Sequence, residues 1–285
     1  MPLPPDIAEF VRKTDPATVS VTNGYLHSWH YYVLRDKDPA RLKLYYDNFI
    51  AGHQRCLCAA AASEGIPAWL LLAVLLGESI NMDNDSNDLF GNLAPGRISE
   101  RTLESLGLGA SVGVGQITVD TATKRGLTPA AVRAREIARR IRDGEVSGDY
   151  GYSQLAAFVR ATRGELQDDC IGIEASARLL SQLWREATHA YATPGVEKPS
   201  KQMGDFDWSR PTLLDVGQSG LGPLPAGADP VSTAKVRMAE FFGAAHNDDR
   251  ATGDYNEGFG RTQGRAAAQA IYDLIILGVD CDPCA

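Results

Sequence analysis

One carboxylate stands at the end of the most apolar stretch of the chain. Residues 66–76 have the sequence Ile-Pro-Ala-Trp-Leu-Leu-Leu-Ala-Val-Leu-Leu, and Glu78 follows shortly before a polar segment rich in Asp and Asn. Burial excludes water, and the end of a helix is the negative end of its dipole, so we expect both influences to raise the pKa of Glu78. An acid that keeps its proton near neutral pH can protonate a leaving group, as cleavage of a glycosidic bond requires.

Two predicted helices position this carboxylate. In residues 39–63 apolar side chains recur three and four positions apart, with Asp38 as the N-cap and Pro39 in the first turn. Pro67 then opens a helix that is apolar on every side, which is typical of a helix at the centre of a protein. Glu78 is therefore predicted to lie where a central helix meets a polar loop.

The other patterns are also helical, so the predicted fold class is all-α. Strand signals amount to at most one short hairpin, next to a Gly-rich turn at residues 111–116, and no helix–strand alternation indicates a nucleotide-binding sheet. Residues 191–231 are rich in Pro, Gly and Ser and are predicted to form a long loop insertion. Residues 1 to about 38 show no clear period, although residues 7–13 could form a short helix. The further predicted helices cover residues 7–13, 119–125, 129–144, 152–163, 171–187, 236–244 and 265–277.

Composition and charge exclude several classes of protein. The 285 residues include 28 Lys and Arg against 36 Asp and Glu, a net charge of −8. A nucleic-acid-binding protein needs a basic face for phosphates, so we expect no nucleic-acid partner. The apolar run before Glu78 is too short to span a bilayer, and the first residues lack the basic and apolar regions of a secretory signal. We therefore expect neither a membrane span nor such a signal.

The cysteines allow several arrangements. One is a disulfide that pins the C-terminal tail onto the helix around Cys56, and another is a set of free buried thiols. A four-sulfur zinc site is a weaker alternative, because Cys-x-Cys is not the near-ligand spacing of the commonest structural zinc sites. The five cysteines, of which at least one stays unpaired if the others bridge, are Cys56, Cys58, Cys170, Cys281 and Cys284.

A short acidic run follows Glu78. Asp83, Asp85 and Asn87 place oxygen atoms on alternate residues, as at the start of a calcium loop. Gly is missing at the sixth position of this loop, and Ala94 stands at the twelfth, where a calcium loop has Glu. A solvated acidic loop is the favoured interpretation and calcium the minor one. The five histidines show no metal-ligand spacing, so we expect no metal and no other cofactor.

Three short segments follow one another in a specific order. They are Leu-Gly-Glu-Ser at residues 76–79, Ser-Val-Gly-Val-Gly-Gln-Ile at residues 111–117, and Asp-Tyr-Asn-Glu-Gly-Phe-Gly-Arg at residues 254–261. Together they resemble the soluble lytic transglycosylases, relatives of goose-type lysozyme. That family has a Glu-Ser pair at a helix end, a Gly-Leu-Met-Gln turn and an Ala-Tyr-Asn-x-Gly-x-Gly segment. The resemblance covers about residues 60–280.

The resemblance implies a lysozyme-like helical domain that cleaves peptidoglycan between N-acetylmuramic acid and N-acetylglucosamine. Glu78 would be the catalytic acid, and the tyrosine hydroxyl of the third segment would help to orient it. Amide and phenol groups bind sugar hydroxyls and N-acetyl groups, and the glycines would let the polymer approach the backbone. The implied substrate-binding residues are Ser79, Ser111, Gln116, Tyr255 and Asn256.

In this family one carboxyl performs the reaction. It protonates the bridging oxygen and then, as a carboxylate, takes a proton from the sugar's own 6-hydroxyl, which leaves a 1,6-anhydro ring. A hydrolase would instead use a second carboxylate to hold water. The turn departs from the family pattern at Val114 and Gly115, and Asp254 replaces a small residue. The choice between the two reactions stays open, with the candidate second carboxylates being Asp83, Asp85, Asp88 and Asp120.

The expected organisation is an N-terminal helical extension, residues 1–60, packed on a catalytic domain of residues 61–285. The expected function is a muramidase, delivered as an antibacterial effector into the periplasm of a neighbouring bacterium. Its partners would be peptidoglycan glycan strands, a secretion-system carrier and an immunity protein that plugs the cleft at Glu78. A phage lysis enzyme, a chitinase on a related scaffold and a non-catalytic wall-binding module are the alternatives.

Overall fold

The protein is predominantly helical, as predicted. The computed structural model describes residues 5–21, 26, 28–81, 111–192, 230–248 and 258–284. None of the helices in these ranges is long and apolar enough to cross a lipid bilayer. The described elements are α1 (Pro5–Lys13), a 3-10 turn (Pro16–Thr18), α2 (Ser28–Lys37), α3 (Pro39–Glu64), α4 (Ala68–Asn81), β1 (Ser111–Val112), β2 (Ile117–Thr118), α5 (Val119–Arg125), α6 (Pro129–Arg142), α7 (Gly148–Gln167), α8 (Asp169–Ala192), α9 (Pro230–Asp248) and α10 (Gly258–Leu277).

Capping residues set several helix ends where the sequence predicts them. The Asp38 side chain accepts a hydrogen bond from the Arg41 N–H at the start of α3, and Gly65 ends that helix in the left-handed conformation, with φ 67°. Thr118 caps α5 and Thr128 caps α6 in the same way as Asp38. Local chemistry therefore decides these boundaries. Only one hairpin is described, and its antiparallel strands β1 and β2 pair Val112 with Ile117.

Helix α2 lies in the stretch where the sequence shows no clear period. Tyr31, Val33 and Leu34 are buried there, next to the half-buried Tyr32 and Arg35. Because buried and half-buried residues follow one another here, the helical pattern in the sequence is weak. A helix of ten residues is stabilised by tertiary packing more than by local propensity. The sequence alone therefore did not reveal it.

The chain divides into two compact units. Residues 1–82 and 180–285 form the first, and residues 83–179 form the second. Helices α1 to α4 belong to the first unit together with α9 and α10, because α4 packs against α3, α9 and α10. The expected boundary at residue 60, between an N-terminal extension and a catalytic domain, stays a prediction. The N-terminal helices share one core with the C-terminal ones.

Helix α4 is the centre of the first unit. Every residue from Leu70 to Ile80 is buried, as its apolar sequence predicts. A Cβ atom added at Gly77 would lie 2.6 Å from the backbone nitrogen of Ala267, so α4 and α10 touch backbone to backbone. Gly264 of α10 approaches the backbone of α9 in the same way. Glycine is required at these two positions because the close helix contacts leave no room for a side chain.

A disulfide ties the C-terminal tail to α3, as one of the sequence alternatives predicts. Cys58 and Cys284 are bonded with their Cα atoms 5.6 Å apart. The bond removes two of the four sulfurs that a zinc site would need. Cys56 and Cys170 are also disulfide-bonded, and Cys281 is the free thiol.

Candidate functional site

Glu78 lies in the last turn of α4 and is only 4% exposed. Burial raises the pKa of its carboxyl, because the charged form loses its hydration. The direction agrees with the sequence-based expectation. The structure therefore supplies what a general acid needs first, namely a carboxylic acid that resists losing its proton.

His246 is the partner of this carboxyl, and sequence analysis missed it. Its Nδ1 atom lies 3.2 Å from Oε1 of Glu78, and both side chains are buried. The hydrogen bond with His246 acts to lower the pKa of Glu78, against the larger effect of burial. No spacing signal links the two residues, which are 168 positions apart.

Helix α9 holds His246 in place through tight packing. All residues from Val236 to His246 are buried. Phe242 stacks on Trp184 of α8 with ring centroids 5.2 Å apart and rings nearly parallel. Arg237 and Glu240 form a buried ion pair of 2.9 Å on the same helix. A helix packed on so many sides gives its side chains little freedom, so the geometry at His246 is preorganised.

Ser79 points into the core of the first unit. Its side chain is fully buried, and its hydroxyl lies 2.8 Å from the Tyr45 hydroxyl of α3 and donates to the carbonyl of Leu76. In this structure the Ser79 hydroxyl stabilises the contact between α3 and α4. The substrate contact expected of Ser79 stays a prediction.

Gln116 occupies the turn between β1 and β2 in the second unit. It is the one described non-glycine residue with positive φ, at 47°, and its side-chain amide donates to the carbonyl of Gly113 at 2.7 Å. This conformation is unfavourable for a residue with a side chain, and such residues cluster at functional sites. Gln116 therefore stays a candidate for substrate binding.

The glycines of this turn serve packing. A Cβ atom at Gly113 would overlap the carbonyl oxygen of Leu166, and one at Gly115 would overlap the hydroxyl of Ser176. Both glycines are thus closed off by α7 and α8 of their own unit. At these Cβ positions the glycines face neighbouring protein atoms, whereas the resemblance implied that they would face the polymer.

Two more predicted residues lie in the second unit. Ser111 is in β1, where its backbone pairs with Thr118. Asp120 lies in the first turn of α5 and forms a surface ion pair of 2.5 Å with Lys124, four residues later. This pair is typical of a solvated helix face, which is a common structural use of an Asp at that position.

The remaining predicted site residues are outside the described residues. Among the residues that the structure does describe, no cluster of three or more His, Cys, Asp and Glu side chains exists to hold a metal ion. The third segment contributes residues 258–261 to the start of α10. The predicted residues that fall outside the described ranges are Asp83, Asp85, Asn87, Asp88, Tyr255 and Asn256.

Another buried carboxylate, also missed from the sequence, belongs to Asp273 of α10. It accepts hydrogen bonds from the Tyr31 and Tyr46 hydroxyls and from Gln269, and Arg35 lies 3.5 Å away. Burial raises the pKa of Asp273, and the Arg35 charge and the hydrogen bonds act against it. These partners join α2 and α3 to α10, so Asp273 holds the helices around α4 together.

The arrangement at Glu78 can donate and recover a proton. It combines a buried acid with one basic ring at hydrogen-bond distance, which is typical of proton-transfer sites. No protein-family model matches this chain, and no match was found among curated proteins or solved structures. Any statement of function consequently depends on the residues and their geometry.

Proposed function

We propose that this protein is a muramidase that cleaves peptidoglycan with Glu78 as its general acid, on a lysozyme-like helical domain. The observation that carries the proposal is a glutamic acid buried at the end of an apolar helix, with its pKa raised by burial. Such an acid keeps its proton to a higher pH than an exposed glutamic acid does, and a protonated carboxyl can assist departure of the bridging oxygen. The ordered resemblance of the three sequence segments names the substrate.

The reaction proposed is a lytic cleavage that needs one carboxyl. Glu78 gives its proton to the oxygen between N-acetylmuramic acid and N-acetylglucosamine while the bond to the anomeric carbon breaks. The 6-hydroxyl of the muramic acid then bonds to that carbon, and its proton returns to Glu78. The product carries a 1,6-anhydro ring, and the acid is regenerated. The substrate contacts proposed from the resemblance are Ser111, Gln116, Tyr255 and Asn256.

Product analysis tests this proposal. Purified peptidoglycan is incubated with the parent protein, with Glu78→Gln and with Glu9→Gln, whose glutamate is exposed on α1. We expect the parent and Glu9→Gln to release fragments one water lighter than hydrolytic products. Glu78→Gln should be slower by about 10²–10⁴-fold, because general acid catalysis contributes that much.

Other outcomes of the same assay identify the alternatives. Fragments with ordinary reducing ends would indicate a hydrolytic lysozyme with a second carboxylate. Cleavage of chitin alone would indicate a chitinase. A parent that releases nothing but sediments with insoluble peptidoglycan would be a wall-binding module, and the muramidase proposal would be rejected.

We further propose that the protein acts in the periplasm of a target bacterium. The Cys58–Cys284 disulfide supports this, because structural disulfides persist in oxidising compartments. An antibacterial effector of this kind needs a secretion-system carrier, and the producing cell needs an immunity protein that covers Glu78. Expression directed to the periplasm should lyse cells, and expression of Glu78→Gln there should not. Unharmed cells with the parent protein in the periplasm would contradict the proposal.

A further inference from the structure

The buried contact between Glu78 and His246 couples the protonation of the two side chains. Oε1 of Glu78 and Nδ1 of His246 are 3.2 Å apart, and the side chains are 4% and 1% exposed. Both groups are thus shielded from bulk water. Where the ring places its proton therefore decides which carboxyl oxygen is left to carry the acidic proton.

The second ring nitrogen of His246 indicates which tautomer the site holds. Nε2 is buried and has no hydrogen-bond partner within the described ranges. A proton on Nε2, in the neutral ring or in the imidazolium, would bury an N–H group without a described partner, and orphaned buried N–H groups are rare. With the proton on Nδ1 the single N–H of the neutral ring is used in the bond to Oε1.

We propose that His246 is the positioning residue of Glu78, acting as a fixed Nδ1–H donor to Oε1 in both the acid and the carboxylate form. This inference rests on the proposed role of Glu78 as general acid. Because Oε1 already accepts from the ring, the transferable proton is placed on Oε2. Glu78 loses this proton to the bridging oxygen and regains one from the 6-hydroxyl, while His246 keeps its own proton throughout.

The hydrogen bond also favours catalysis as charge develops. A donor to a carboxylate binds more strongly than a donor to a neutral acid, so the bond strengthens when Glu78 gives up its proton. The donor is already in place, and an interaction that grows towards the transition state accelerates the reaction.

Buried charged and titratable groups on the neighbouring helices have partners of their own. In α9 Arg237 pairs with Glu240, in α10 Asp273 accepts from Tyr31, and in α3 Tyr45 bonds to Ser79. Among the described residues, His246 is the neighbouring side chain that acts on the pKa of Glu78. Changes at His246 should therefore be felt directly in the titration of Glu78.

Two substitutions separate positioning from packing. His246→Asn keeps an N–H donor near the place of Nδ1, and His246→Leu fills a similar volume without a donor. We expect His246→Leu to lower kcat on peptidoglycan by about 10²–10³-fold, as loss of one preorganised donor does, and His246→Asn to stay within about tenfold of the parent. Thermal unfolding of both variants is the control that tests whether they are folded.

The pH profile gives a readout that a packing role would not change. The alkaline limb of the rate reports loss of the Glu78 proton, and loss of the donor favours the protonated acid. The limb should therefore move to higher pH in His246→Leu and return towards the parent in His246→Asn. Equal loss of activity in both variants with an unmoved limb would overturn the positioning role.

Nitrogen NMR tests the tautomer without any substrate. In protein labelled with ¹⁵N-histidine, we expect His246 to carry its proton on Nδ1 and its resonances to follow the titration of Glu78, with that response lost in Glu78→Gln. An Nε2–H ring or an imidazolium at neutral pH would overturn the proposal. Failure of the parent to cleave peptidoglycan would reject the muramidase function separately, because the NMR result does not depend on turnover.

Discussion

Glu78 and Asp273 show how the same physical effect produces two kinds of buried carboxyl. Burial raises the pKa of both. Asp273 accepts from Tyr31, Tyr46 and Gln269, and these bonds hold three helices together. Glu78 has one described partner, His246. A carboxyl with many donors is held as part of the framework, whereas one with a single partner keeps the capacity to exchange a proton.

Removal of the Glu78 charge should stabilise the protein at higher pH. The folded pKa of Glu78 lies above its unfolded value, so the folded state holds this proton more tightly. The associated stability is present below the unfolded pKa and is lost as the pH rises through the folded pKa. Glu78→Gln stays neutral and should unfold at a temperature close to that of the parent at about pH 4, and at a higher temperature at about pH 8.

The matched control for this titration is Glu9→Gln on the exposed surface of α1. Its difference from the parent should remain small across the same pH range, since exposed ion pairs contribute at most about 1 kcal/mol. Thermal unfolding followed by circular dichroism measures both variants. A Glu78→Gln difference that does not change with pH would contradict the burial effect.

At the scale of elements, the crossing of α4 and α10 positions the end of α4. Gly77 precedes Glu78 and touches the backbone of α10 at Ala267. Gly264 gives α10 a similar contact with α9, which bears His246. Helix α10 packs directly on both α4 and α9. The distance between Glu78 and His246 therefore depends on having glycine, with no side chain, at these two crossings.

Gly77→Ala should therefore destabilise the protein by about 1–3 kcal/mol, because an added methyl group would overpack the crossing. The control is Gly164→Ala in α7, where a Cβ atom meets nothing within 4 Å. An alanine there should stabilise by about 0.5–1 kcal/mol through helix propensity. Urea unfolding measures both variants, and a stabilised Gly77→Ala would show that the two helices separate easily.

At the scale of the whole molecule, a covalent link joins distant parts of the chain. Cys58 and Cys284 are 226 positions apart, and Gln54 donates to the carbonyl of Pro283 next to the link at 2.7 Å. Closing so long a loop limits the freedom of the unfolded chain. The link therefore makes the stability of the first unit depend on the redox conditions around the protein.

The double variant Cys58→Ala/Cys284→Ala should lose about 2–4 kcal/mol of unfolding free energy, a typical contribution of a disulfide. Cys281→Ala, at the free thiol of the same tail, should change it by less than about 1 kcal/mol. Unfolding in non-reducing urea measures both. Equal losses in the two variants would mean that tail packing, and not the bond, provides the stability.

The sequence by itself determined the local features of this protein. Periodicity and capping residues predicted α3, α5 and α6 close to their observed ends, because hydrogen bonds within a few residues decide these boundaries. The apolar run 66–76 also predicted that Glu78 ends a buried helix with a raised pKa. Both conclusions need only the neighbours of each residue in the chain.

Only the tertiary structure decided which residues meet. His246 reaches Glu78 from a helix 168 positions later, and Asp273 gathers partners from α2 and α3. The glycines at 113 and 115 turned out to face their own unit, although the resemblance implied access for a polymer. Contacts between helices depend on which faces are buried together, and no spacing within one helix contains that information.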